Sequence, residues 1–61
     1  MSKSLQLQFA EIDARGIAKL SALWASKAEQ EGDCVNSYRL SILAKDSREL
    51  AENLKELVDK V

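Results

Sequence analysis

From Asn36 onward, apolar and small residues recur with strict regularity. Asn36, Leu40, Leu43, Ser47, Leu50, Leu54, Leu57 and Val61 follow one another at alternating spacings of four and three. A helix presents such a series as one narrow stripe, the seam of a heptad repeat. The pattern predicts a helix over residues 34–60, with Lys45, Glu49, Glu52, Lys55 and other charged residues on its solvated side.

The first half of the chain carries a second stripe. Leu5, Phe9, Ile12, Ile17, Leu20, Leu23 and Trp24 share one side of a wheel that turns about 100° per residue. They predict a helix over residues 4–31, with Ser4 as its cap and Met1 to Ser4 frayed. Leu5 to Phe9 alternates as a short strand would, but Leu5 and Phe9 also continue the helical stripe, so helix is the expectation. Ala10, Ala14, Ala18, Ala25 and Ala28 form a flank of small residues beside it. Such a flank permits close approach by another helix, although alanine is also simply the best helix former.

Between the stripes stands Gly32-Asp33. Glycine suits the left-handed position just past a helix end, and aspartate suits the N-cap of the next helix. The pair therefore predicts a stop and a start, with the second helix returning antiparallel. Doubling the chain there aligns Leu23 with Leu40, Leu20 with Leu43, Ile12 with Leu50, Phe9 with Leu54 and Leu5 with Leu57. Gly16 falls opposite Ser47. A glycine inside a helix costs about 1 kcal/mol relative to alanine. The Gly16–Ser47 layer would offset that cost by letting the helices touch or, the preferred expectation, by admitting a side chain from a third helix.

Val35, Tyr38 and Ile42 lie on the second helix away from its leucine seam, and Trp24 sits at the edge of the first stripe. Exposed aromatics among aliphatics mark interfaces. Trp24, Val35, Tyr38 and Ile42, with Gly16 and Ser47, are therefore the expected partner-binding residues. The alternative is that Tyr38 lies over local apolar surface with its hydroxyl in water.

Size makes the need for a partner sharper. A chain of 61 residues is one domain, residues 1–61, and buries only about 60% of its unfolded surface. A single cysteine cannot close an internal disulfide, and without histidine no ordinary zinc site exists. Association remains as the source of stability. The fold expectation is thus all-α: an antiparallel two-helix hairpin, completed as a four-helix bundle by dimerisation or by a partner chain.

Charge and motifs mainly exclude. Nine basic against ten acidic residues leave a net charge of −1, which argues against an electrostatic nucleic-acid binder. No apolar run approaches the ~20 residues of a membrane span, and the start lacks the apolar block of a signal peptide. A cytoplasmic location is the default expectation. Cys34 opens the second helix, a position that can host a reactive thiol, but no histidine stands by as base and small apolar filler is the commoner role. Phosphate loops, CxxC pairs and HExxH are absent. No cofactor or metal is expected, and no enzymatic activity.

Three resemblances bear on fold and function. Ala25, Gly32-Asp33, Ser37 and Ala44, with Trp24, resemble the small-residue and turn positions of one tetratricopeptide repeat over Ser21 to Lys45; such repeats are helical hairpins that bind peptides or partner proteins. In hairpin length and turn placement the chain is similar to the plasmid RNA-regulating Rop proteins, which are antiparallel four-helix dimers. It is also similar to the small hairpin co-chaperones that hold type III secretion needle subunits. The expectation is a non-enzymatic interaction protein, a small adaptor, chaperone-like holder or inhibitor, that binds itself or a partner helix. The alternative is a Rop-like nucleic-acid regulator, with Arg15 and Lys19 along one face.

Overall fold

The computed structural model describes residues 3–60. Met1 and Ser2, expected to fray, and Val61, the last member of the expected seam, lie outside them. Two helices, α1 (Lys3–Gln30) and α2 (Cys34–Lys60), fold back on each other as an antiparallel hairpin of 45 × 15 × 10 Å. Among the described residues no strand forms, and Leu5 to Phe9 is helical. Ser4 lies just inside α1 rather than capping it, and its hydroxyl accepts a long bond from Gln8 Nε2 at 3.5 Å.

The corner is built by Gly32 and Asp33. Gly32 adopts φ +79°, the left-handed region. Its N–H donates to Glu29 O at 3.0 Å, and Asp33 N–H donates to Ala28 O at 2.9 Å. This crossed pair satisfies carbonyls that the end of α1 would otherwise leave bare. Asp33 then starts α2. Its Oδ1 accepts the N–H of Asn36 at 3.2 Å, and its carbonyl accepts the first helical bond, from Ser37 N–H at 3.0 Å.

The surfaces that touch differ from the expected ones. The shielded series along α1 is Ser4, Leu7, Glu11, Ala14, Ala18, Ser21, Ala25 and Ala28, again at spacings of four and three, with Ala10 half-buried beside it. Along α2 they are Ser37, Leu40, Ala44, Ser47, Ala51, Leu54 and Val58. Counted outward from the corner, the layers are Ala28 with Ser37, Ala25 with Leu40, Ser21 with Ala44, Ala18 with Ser47 and Ala14 with Ala51. Ala51 is fully buried, and among the described residues no buried side-chain polar atom lacks a partner.

The hairpin is therefore closed by its small residues. Alanine and serine let two helix axes come toward the short end of the usual ~8–10 Å spacing. The expected Leu20–Leu43 and Ile12–Leu50 layers do not form, because all four side chains are exposed. Relative to the expectation, α1 is turned by roughly half a revolution and α2 by about a seventh, at 100° per residue. Gly16 and Ser47 do not share a layer either: Ser47 is buried, whereas Gly16 is exposed, with open space where a Cβ would stand.

Candidate functional site

Packing through alanine leaves most of the large apolar side chains outside, Leu7, Leu40, Leu54 and Val58 being half-buried at the seam. On α1, Ala10, Ile17 and Trp24 recur every seventh residue beside the seam, and on α2 Leu43, Leu50 and Leu57 do the same. A heptad spacing keeps each row on one side of its helix. Both rows lie on the same broad face of the hairpin. At the corner end they meet in an open depression of about 460 Å³ lined by Trp24, Lys27, Glu31, Arg39, Leu40 and Leu43. Ile17 is 49% exposed, Trp24 48% and Leu50 53%. Leu20 stands at the rim, also exposed.

Trp24 has the most defined surroundings on this face. The ammonium of Lys27 stands 4.8 Å from its ring centroid, one turn further along α1. That distance is within cation–π range. The indole stands at the corner end of the apolar face, with Leu40 and Leu43 lining the same depression.

The opposite broad face is polar. There Ala22, Ser26 and Glu29 of α1 meet Ser37, Ser41 and Arg48 of α2 in a shallow cleft. Further from the corner, Arg15, Lys19 and Arg48 surround a smaller depression floored by Ala18 and Ala22. Arg15 Nε donates to Glu11 Oε2 at 2.9 Å, an ion pair one helical turn long. The two broad faces therefore differ: one carries the two apolar rows, the other Arg15, Lys19 and Arg48, while Leu5, Phe9, Ile12 and Leu23 are exposed on the outer edge of α1.

The expected partner-binding residues are not gathered in one place. Trp24 is on the apolar face. Val35, Tyr38 and Ile42 are exposed on the outer edge of α2, and none of them lines the Trp24 depression. Gly16 is on the outer edge of α1, and Ser47 is inside the hairpin, covered by α1. The residues missing from the expectation are Ile17, Leu43, Leu50 and Leu57, which the stripe pattern assigned to the space between the two helices. Their signal was the seven-residue spacing beside a row of alanines.

Cys34 is an exposed free thiol. Among the described residues there is no group of three His, Cys, Asp or Glu placed to hold a metal. Among the described residues no helix is long and apolar enough to cross a membrane. In comparisons with protein-family models, curated proteins and solved structures, nothing matches the chain.

Proposed function

We propose that the chain is a non-enzymatic protein–protein interaction module whose apolar face takes the helices of a partner. The observation that carries this reading is the composition of the core. Among the described residues the buried ones are Ala14, Ala18, Ala25, Ala44 and Ala51 with Ser21 and Ser47, and no side chain larger than alanine is fully buried. A buried methyl contributes about 0.8 kcal/mol, against roughly 1.5–3 for a leucine or phenylalanine taken fully out of water. The large contributors, Ile17, Trp24, Leu43, Leu50 and Leu57 among them, stay wet until something covers them. A face two helices wide is matched by two more helices, which gives a four-helix bundle. Such a module suits a small adaptor, a chaperone-like holder or an inhibitor.

The test is substitution on that face. Ile17→Glu and Leu50→Glu each place a charge where the partner would sit. The reading expects both to abolish association and to lower helicity and melting temperature together. Exposed positions of a self-sufficient hairpin would tolerate them within about 0.5 kcal/mol. Unchanged melting in both variants would overturn the reading.

A second reading rests on the other face. Arg15, Lys19 and Arg48 converge on one depression, which favours an anionic ligand and a Rop-like nucleic-acid regulator. It ranks second because Glu11 already engages Arg15 and the chain is net acidic. Binding of RNA or DNA that falls steeply with added salt would support it. No binding at low salt would remove it.

A further inference from the structure

We infer that the occupant of the apolar face is a second copy of this chain, packed face to face with the two Gly32 corners at opposite ends of the bundle. This rests on the reading of the face as an interface and adds the partner and its orientation.

The first argument is area. The hairpin exposes 4752 Å². A compact dimer of twice 6.8 kDa would expose roughly 6,600 Å² by the usual scaling of surface with mass, about 1,500 Å² less per copy than two separate hairpins. A total of roughly 2,900 Å² lies within the range of obligate homodimer interfaces, about 2,000–5,000 Å².

The second argument is the order of sizes along the rows. Turn a second copy end for end about a two-fold axis lying between the faces, so that α1 covers α1 and α2 covers α2. If the axis passes Ile17, that residue meets its own copy and Ala10 meets Trp24 of the second copy, small against large. On α2 the same operation places Leu43 against Leu50 of the second copy. The midpoint of Leu43 and Leu50 lies about as far along α2 from Gly32 as Ile17 lies along α1, so one axis serves both rows. The α1 row is thus its own complement when reversed, and on α2 the central Leu43–Leu50 pair is, with Leu57 falling level with Asn36 of the second copy.

The third argument is charge at the rims. If the corners sat together, α1 would cover α2, and Lys27 would stand level with Arg39 of the second copy, twice over. Reversal removes this approach between copies and sets Arg39 level with Leu54, although Lys27 and Arg39 of one copy still line one depression. It brings one like-charged pair together, Asp46 with its own copy near the axis. Two clashes are exchanged for one.

The chain carries its own reporter. Cys34 is the single cysteine, exposed, and on the row that includes Ser41 and Arg48 of the polar face. A nitroxide there leaves the apolar face untouched. Pulsed dipolar spectroscopy on the labelled full chain, alongside sedimentation, reads both partner and orientation. The expected result is a dimer with a label separation of at least about 40 Å, the length of α2 at 1.5 Å per residue. A dimer with labels closer than about 30 Å, set by helix diameters across the bundle, would overturn the reversed packing while leaving the interface reading standing. A folded monomer without dipolar coupling would overturn both. A stable complex with a different chain and no self-association would overturn the second copy alone.

Discussion

Asn36 engages Asp33 twice. Its backbone N–H donates to Oδ1 at 3.2 Å, and its side-chain Nδ2 donates to Oδ2 at 2.8 Å. The aspartate therefore both caps α2 and holds the side chain of the residue one turn in. Asp33→Ala removes both bonds and is expected to cost about 1 kcal/mol. Asp33→Ser keeps an acceptor for the backbone N–H and should recover most of it. Thermal melts of the three proteins at one concentration check the order.

Gly32→Ala makes a companion prediction at the same corner. A side chain there would sit at φ +79°, where a Cβ costs roughly 1–2 kcal/mol. Melting should fall accordingly, with no change in assembly state, because Gly32 does not line the depression on the apolar face.

Ala18 and Gly16, two residues apart, should respond in opposite ways. Ala18 is buried against α2, so Ala18→Leu overpacks the seam and is expected to cost about 1–3 kcal/mol. Gly16 has nothing within 4 Å of an added Cβ, so Gly16→Ala should stabilise α1 by roughly 0.5–1 kcal/mol. If Gly16→Ala destabilised as Ala18→Leu does, the helix faces described above would be wrong.

The reversed dimer makes a prediction by exchange of size. Ala10→Trp alone crowds Trp24 of the second copy, and Trp24→Ala alone leaves a gap. Together they restore one large and one small side chain in each pair. Dissociation constants should rise in both single variants and return toward the parent value in the double variant. A double variant that adds the two losses would show that these residues do not meet.

Asp46 gives an electrostatic counterpart. Near the axis its carboxylate faces its own copy, so Asp46→Asn should tighten the dimer several-fold at low salt, and added salt should shrink the gain. Indifference to the substitution would speak for the corners-together packing.

The hairpin and its corner were legible because their signals are local. Glycine and aspartate each name a backbone conformation or a cap, and both acted at the positions they occupy. The contacting faces were not legible from stripe width. Leucine and isoleucine dominate any hydrophobic count, whereas Ala14, Ala18 and Ala25 contribute a methyl each. Closeness of approach selected the alanines, which sequence marked only as a flank. Trp24 was recognisable as an exposed aromatic. Its neighbours were not, because Leu43, Leu50 and Leu57 share a continuous stripe with Leu40 and Leu54, and only the choice of partner face divides them. Likewise the opposite charges of α2 four residues apart, such as Lys45 and Glu49, do not close into ion pairs among the described residues, where Arg15–Glu11 does. On an open helix face little energy holds such pairs shut.

If the apolar face is an interface, it must be covered for the helices to persist. Circular dichroism of the unmodified chain, followed on dilution from high micromolar to nanomolar concentration, tests it most directly. The expected result is a melting temperature that falls with concentration, ending in loss of helicity as the chains separate. Constant helicity and one melting temperature across the whole range, with a monomer mass throughout, would contradict it.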